Sequence, residues 1–304
     1  MTDVSIIIVN YCTGILIKNA INSILQKVNG IVYEIIVVDN KSPDDSMSHI
    51  REEFKKVTNI KYVYLEHNLG FGRANNAGYE IATGRNIFCL NPDTILINNA
   101  VKILSDFLDT NSNVGVVGGC LYQKDMKMCT SYRRIFPSLF GDFSMMFYYL
   151  PEKLFFRKEW KYNEGKVMEV SFITGADLMI KRSVIKAVGF YSPAFFMYYE
   201  DVELCHRVKR EGYDIFHNPL AKIFHLEGKS TNNIPLKAKI NFEGRKAFFA
   251  LCYPSWYCLL SQFSFVVLSL SRTLILLRRR NESYIYWKEL LKLSIKNFGY
   301  ENSN

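Results

Sequence analysis

The sequence predicts an α/β fold with a mostly parallel central sheet flanked by helices, followed by a helical C-terminal extension. Three observations predict it. Short β-branched runs recur through the first hundred residues with helix-spaced stretches between them. Polar residues stand where those runs end. The charge is also unevenly divided. The 304 residues hold 38 Lys+Arg and 29 Asp+Glu, a net +9. Residues 241–304 hold nine basic and four acidic residues, a net +5, which leaves +4 for the first 240.

The elements follow in order. Val4–Tyr11 reads as a buried strand. Residues 15–27 place Ile15, Leu16, Ala20 and Ile24 at helical spacing. Glu34–Val38 is a second buried strand, ending in Asp39-Asn40-Lys41-Ser42-Pro43, and Ile60–Leu65 is a third. A helix is expected over about 71–83, with Gly84 at its C-terminal end. Asn86–Leu90 is a fourth strand, ending in Asn91-Pro92-Asp93. Ligands of such sheets bind outside the carboxyl ends of the strands. Asn10, Asp39, Asn68 and Asp93 all stand there, which points to one cleft. Beyond it, residues 120–170 are irregular and aromatic-rich. Glu169–Ile180 reads as a strand pair or a strand plus turn, Asp201–Glu211 as a helix, and Tyr213–His217 and Ala221–His225 as strands. The expected division is therefore a catalytic domain over 1–240, with halves meeting near 118–119, and an extension over 241–304.

Composition and motifs exclude several classes. A hydrophobic content of 49% and a charged content of 22% exclude a disordered chain. The bulk domain is too nearly neutral for a nucleic-acid binder. The turn Asn10-Tyr11-Cys12-Thr13-Gly14 lacks GxGxxG, and no P-loop or HExxH motif occurs, which disfavours a dinucleotide enzyme. Seven cysteines without a CxxC pair fit a reducing compartment better than a disulfide framework or a zinc site. No basic segment precedes the short apolar run Ile6–Val9, so the start reads as mature and cytoplasmic.

Three acidic or basic sites stand out, each with a structural alternative. Asp93 after a buried strand can bind a divalent cation that bridges a diphosphate; it can equally close a turn or cap a following helix. Glu200-Asp201-Val202-Glu203 opens a helix, where acids ordinarily complement the dipole. A general base at a cleft rim is the other reading, ionised by that dipole and correspondingly weak. His225 ends a strand, either as a hydrogen-bonding partner or as one nitrogen of a mixed oxygen/nitrogen metal site.

Taken together, the segments are specific. Val4-Ser-Ile-Ile-Ile-Val-Asn-Tyr11, Val37-Val-Asp-Asn-Lys-Ser42, Asn68-Leu-Gly-Phe-Gly-Arg-Ala-Asn-Asn-Ala-Gly78, Leu90-Asn-Pro-Asp-Thr94, Phe172-Ile-Thr-Gly-Ala-Asp177 and Phe196-Met-Tyr-Tyr-Glu-Asp-Val-Glu-Leu204, with His225 behind them, occur in this order. The set resembles the family 2 inverting glycosyltransferases, and most closely their rhamnosyltransferase-like branch in bacterial polysaccharide assembly. The resemblance covers about residues 3–232.

It implies a GT-A, Rossmann-like fold and a set of roles. Asp39 would bind the nucleobase, with Asn10 and Tyr11 at its border. Asn68, Gly70 and Asn76 would shape the nucleotide pocket. Asp93 matches the last residue of the family's metal-binding DxD, whose first position is Asn91 here, one charge fewer. His225 matches a metal-coordinating His of some relatives. Asp201 matches the general base. Gly175, Ala176, Asp177 and Glu200 lie where relatives form the sugar and acceptor pocket, Asp177 being a departure from the pattern. The implied cofactor is Mg²⁺ or Mn²⁺. The implied donor is a thymidine- or uridine-diphosphate sugar, and the implied acceptor a glycan linked to polyprenyl diphosphate. Direct transfer to a polyprenyl phosphate and a non-catalytic glycan-binding subunit are the competing readings.

Ala247–Ser271 is 25 residues without a charge, interrupted by Pro254 and five serines. Arg245-Lys246 before it and Arg278-Arg279-Arg280 after it oppose a single span. The expectation is a monotopic anchor on the inner face of the cell membrane; the alternative is a helix packed on protein.

Overall fold

The computed structural model describes residues 2–129, 131–155, 165–226, 233–278 and 280–299. In chain order its elements are β1 (Val4–Asn10), α1 (Gly14–Lys27), β2 (Tyr33–Asp39), α2 (Ser46–Glu53), β3 (Ile60–Tyr64), α3 (Phe71–Glu80), β4 (Asn86–Leu90), β5 (Thr94–Leu96), α4 (Ala100–Thr110), β6 (Val114–Tyr122) and β7 (Tyr132–Arg133). Then come α5 (Leu139–Met146), α6 (Leu150–Phe155), β8 (Met168–Glu169), β9 (Phe172–Ile173), β10 (Asp177–Lys181), α7 (Arg182–Val188), α8 (Glu200–Arg210), β11 (Asp214–His225), α9 (Ile234–Cys252), α10 (Ser255–Leu276) and α11 (Glu282–Lys296).

These residues form two compact units. One lies within Met1–Arg134, Asn163–Phe196 and Asp201–Glu227, the other within Ile135–Tyr162, Met197–Glu200 and Gly228–Asn304. The division expected at residue 240 is corrected in two ways. The helical unit takes in α5 and α6 from the middle of the sequence, and α9 begins at Ile234 and runs through residue 240. A buried ion pair is one reason: Arg245 of α9 donates to Asp142 of α5 at 2.7 Å.

The first unit is built on one sheet in the order β3-β2-β1-β4-β10-β6-β11-β5, with β8 on β11 and a separate β7-β9 pair. The expected parallel core is present: β1 pairs in parallel with β2 and β4, and β2 with β3. All seven residues of β1 are buried, because helices cover both faces and leave no solvent side for alternation. Ile17, Ile21 and Ile24 of α1 join Ile6, Ile8, Val37 and Leu104 in the main core, each worth about 1.5–3 kcal/mol of burial.

The sheet is mixed rather than purely parallel, since β10 runs antiparallel to both β4 and β6. The strand β6 has no counterpart among the expected elements. Three glycines interrupt its apolar run, and they read locally as breakers. They are there for close packing: a Cβ at Gly118 would lie 2.4 Å from Ile173 Cγ2, and one at Gly119 2.8 Å from the Ala221 carbonyl oxygen. The helix expected to about residue 83 ends at Glu80. The two strands expected over 213–225 are one, β11, with a shift in register between His217 and Lys222.

Candidate active site

The carboxyl ends of β1 and β2 lie side by side, with Asn10 opposite Asp39 in register. Asn10 is fully buried and its amide is saturated. Its Nδ2 shares two hydrogens among three acceptors in reach, Asp39 Oδ1 at 3.0 Å, Ser42 Oγ at 3.0 Å and Ser46 Oγ at 2.8 Å, and its Oδ1 accepts from the Thr13 N–H at 3.1 Å. Asn10 therefore lies beneath Asp39, holding two turns together, while Tyr11 beside it is 48% exposed at the border. Each turn needs a left-handed residue, Cys12 at φ +57 and Lys41 at φ +62, and Ser42 Oγ joins them by accepting from the Cys12 N–H. Among the described residues Asp39 Oδ2 has no hydrogen-bond partner, which leaves an acceptor for a donor group of a ligand. The local field is negative: burial first, then Asp44 and Asp39, push the Cys12 thiol up.

The next wall is the loop before α3. Asn40, buried, donates to Asn68 Oδ1 at 2.9 Å and to the Gly70 carbonyl at 3.3 Å, and accepts from the Leu69 N–H at 2.8 Å. Gly70 sits at φ +82, ψ 178. A Cβ there would stand 1.9 Å from the Phe196 carbonyl oxygen, the same oxygen that accepts from the Phe71 N–H at 2.9 Å. Only glycine fits this combination of dihedral and approach. Asn68 and Gly70 thus shape this loop, through Asn40 and the close approach to Phe196. Asn76 faces elsewhere: it exchanges two hydrogen bonds with the backbone of Tyr191, at 2.8 and 3.0 Å, and ties α3 to the segment leading to Phe196.

After β4 the chain turns at Asn91-Pro92-Asp93. The Asn91 N–H donates to the Ala176 carbonyl at 3.0 Å, and the Thr94 hydroxyl closes the turn on the Asn91 carbonyl at 2.6 Å. A strand follows rather than a helix, so Asp93 caps nothing; Asn99 occupies the N-cap of α4. Antiparallel pairing of β5 with β11 sets His225 against Thr94. This brings His225 Nε2 to 3.3 Å from Asp93 Oδ1. Burial opposes charge on His225, but hydrogen bonds and charge from Asp93 and Cys129 outweigh it and push the imidazole up to about 10.

A carboxylate oxygen and an imidazole nitrogen at this separation suit a divalent cation with mixed donors. Among the described residues no group of three or more His, Cys, Asp or Glu could hold a metal by itself. The donor set thus fits a cation whose remaining ligands come from the substrate, as a diphosphate would provide.

The Asp201 carboxylate is held by two backbone donors, the Gly175 N–H to Oδ2 and the Val202 N–H to Oδ1, each at 2.8 Å. A Cβ at Gly175 would lie 2.9 Å from Phe71 Cε1, so glycine here makes room for the Phe71 ring. The expectation of a depressed, weak base is corrected. Burial raises the proton affinity of Asp201, and the two N–H donors offset it only in part. The helix carrying it is fixed by Arg207, which pairs with Glu203 at 2.6 Å and donates to the Phe190 carbonyl at 2.6 Å.

Three residues expected in the sugar and acceptor pocket are buried. Ala176 contributes its carbonyl to the Asn91 turn. Asp177 is 0% exposed inside the sheet, its Oδ2 accepting from the Gly119 N–H at 2.6 Å. Glu200 is 5% exposed and falls in the second unit. Sequence reasoning gave no role to Asn40, Ser42 or Cys129. The first two lie inside a quoted motif and were visible there; Cys129 reaches His225 only through tertiary packing.

The chain is similar to several known proteins. The sequence model of glycosyl transferase family 2 matches residues 5–189. The low-salt glycan biosynthesis hexosyltransferase Agl10 of Haloferax volcanii is 24% identical over 82% of this chain and 76% of its own. The N-acetylglucosaminyl-diphospho-decaprenol L-rhamnosyltransferase of Mycobacterium tuberculosis is 25% identical over 77% of this chain and 80% of its own. Among solved structures, the mannosyltransferase PcManGT of Pyrobaculum calidifontis, in complex with GDP-Man and Mn²⁺, superposes with a TM-score of 0.63 at 14% identity. It covers 98% of this chain and 89% of that one. The fold is the GT-A fold that the motifs imply.

Proposed function

This chain belongs to glycosyl transferase family 2; on that premise we propose that it is an inverting enzyme of polysaccharide assembly. It moves a rhamnosyl or other hexosyl residue from a thymidine- or uridine-diphosphate donor to a hydroxyl of a lipid-linked glycan. The supporting relatives are a glycan-biosynthesis hexosyltransferase and a rhamnosyltransferase named for N-acetylglucosaminyl-diphospho-decaprenol. The reaction takes place at the inner face of the cell membrane, where such an acceptor resides.

One observation carries the mechanism: the Asp201 carboxylate is fixed by the Gly175 and Val202 N–H groups in a half-buried position whose desolvation raises its proton affinity. Asp201 accepts the proton of the acceptor hydroxyl as its oxygen attacks the anomeric carbon from the face opposite the nucleotide. A single displacement inverts that carbon, and no enzyme-bound sugar forms. Asp39 takes a donor group of the nucleobase on Oδ2. Asn68 and Gly70, clamped by Asn40, keep the loop beside the nucleotide in place. A divalent cation, Mg²⁺ or Mn²⁺, held by Asp93 and His225, would supply charge neutralisation of the departing diphosphate.

Replacing Asp201 with Asn tests the assignment. Transfer should fall by a factor of about 10³ or more, while the thermal shift with nucleoside diphosphate and Mn²⁺ persists. Full activity of Asp201→Asn removes Asp201 as the base.

A further inference from the structure

The helical unit leaves two adjoining apolar stripes in solvent. On α10, Trp256, Leu260, Phe263, Val267, Leu270 and Leu274 recur at alternating four- and three-residue spacing, each at least 38% exposed. The opposite face of α10 is buried. Phe265 and Leu268 pack with Phe242 of α9 and Leu290 of α11. On α5, Phe140, Phe143 and Phe147 form a second stripe with the same spacing, and Phe155 of α6 stands 78% exposed, its ring 6.2 Å from that of Phe140. α5 is fastened along α10 at both ends. The Leu139 N–H donates to the Tyr257 hydroxyl at 3.1 Å, and Arg272 donates to the Met145 carbonyl while lying over the Tyr148 ring at 4.1 Å. Monomeric soluble proteins rarely leave so much contiguous apolar surface uncovered.

Although α10 is long and apolar enough to cross a bilayer, its neighbours forbid it. Its inner face carries Arg272, and the helix packed there, α11, carries Lys288, Glu289, Lys292 and Lys296. A spanning α10 would take those charges into hydrocarbon.

We propose that the outer stripe of α10 and the aromatic stripe of α5–α6 together form one in-plane docking face for an anionic phospholipid leaflet. The α5–α6 half, Leu139–Phe155, comes from the middle of the sequence, well before α9 begins at Ile234. Charge selects this occupant. Residues 135–162, 197–200 and 228–304 hold 16 Lys/Arg and 8 Asp/Glu, a net +8 out of +9 for the whole chain. A second copy would bring another unit of net +8 against this one and be repelled, whereas an anionic surface attracts it. Trp256 at the N-terminal end of α10 and Arg278 and Arg280 just past its C-terminal end have the distribution of interfacial anchors. The inference deepens the membrane setting of the proposed function and rests on that reading for the biological surface.

The test is co-sedimentation of the full chain with vesicles of phosphatidylcholine, with and without phosphatidylglycerol. The wild type should bind the phosphatidylglycerol vesicles at least about tenfold more tightly than the neutral ones. Phe143→Glu/Phe147→Glu and, separately, Leu260→Glu/Phe263→Glu should each reduce that binding about tenfold or more. Circular dichroism and the nucleoside-diphosphate thermal shift should be unchanged. Wild-type binding by the α5 variant overturns the two-part face. Equal binding to both vesicles overturns the anionic occupant. A wild type that ignores vesicles and forms a dimer broken by the same variants assigns the face to a second copy. Loss of nucleotide binding in the wild type would count against the proposed function and leave the docking face standing.

Discussion

Asp93 and His225 meet across the antiparallel pair β5–β11, with Oδ1 3.3 Å from Nε2. The contact follows from register: Thr94 lies opposite His225, so the residue before one strand faces the end of the other. The Leu226 N–H, donating to the Asp93 carbonyl at 2.9 Å, extends the pairing by one step and fixes it.

If this pair holds the cation, His225→Gln should raise the Mn²⁺ concentration needed for half-maximal transfer by about tenfold or more. The maximal rate at saturating Mn²⁺ should change less. A Mn²⁺ titration of wild type and variant measures this. An unchanged midpoint would mean that His225 serves only as a hydrogen-bond partner of Asp93.

Gly70→Ala should be among the most damaging single-methyl additions in the chain. The new Cβ would overlap the Phe196 carbonyl at 1.9 Å, and the dihedrals φ +82, ψ 178 are a glycine conformation. A loss of about 3 kcal/mol or more in urea unfolding is expected. Gly212→Ala, with φ +91 but nothing within 4 Å of its Cβ position, should cost about 1–2 kcal/mol and thereby isolate the overlap from the dihedral.

Asp177 gives a pH dependence of the opposite sense to most acids. Burial pushes its carboxyl up to about 8, and the Gly119 N–H and the charge on His225 offset this only in part. A carboxyl with a raised value favours the fold below its ordinary 3.8, and that contribution disappears as pH rises through about 8. Asp177→Asn keeps an acceptor for the Gly119 N–H and has no charge to bury. It should match the wild type below about pH 4, gain on it as pH rises from there to about 8, and unfold at clearly higher temperature at pH 9, with a gain of about 3 kcal/mol or more.

On the acid side, Glu34 and His217 set the decline. Burial alone would raise the Glu34 carboxyl, but Lys61, Ser5 and Thr83 hydrogen-bond it and bring it down to about 2. His217 is buried and held neutral, pushed down to about 4 despite a bond to Gly119. Both values lie below the ordinary ones, so both contributions are complete above pH 6.5 and are lost as pH falls, His217 through about 4 and Glu34 through about 2. The stability these two groups contribute should therefore fall below pH 6.5, against the opposite trend from Asp177. Glu34→Gln should remove the part of the decline below pH 4.5 and lower stability at pH 7 by about 2 kcal/mol.

Much of the site is legible in the chain itself. Asp39, Asn68, Gly70, Asp93 and Asp201 each follow or precede an apolar run whose period reveals the element, and strand ends are where ligands bind such sheets. The roles of Asn10, Asn76 and Asp177 were not legible, because a polar residue at a strand end looks the same whether it faces a cleft or a neighbouring turn. Burial decides, and burial is a property of the assembled sheet. The protonation of Asp201 shows the same limit: its place at a helix start implied a lowered proton affinity, whereas desolvation among its neighbours raises it.

The sequence by itself determined the alternation of β1 to β4 with helices and the ends at which chemistry collects, because periodicity records which face each segment buries. It also determined that the basic charge concentrates away from the nucleotide half. Only the tertiary structure decided that β6, broken by Gly115, Gly118 and Gly119, runs between β10 and β11. It alone brought His225 to Asp93, and joined α5 and α6 to the C-terminal helices through Asp142 and Arg245. Those outcomes depend on pairings between segments far apart in the chain, where the stabilising contact exists only once both partners are in place.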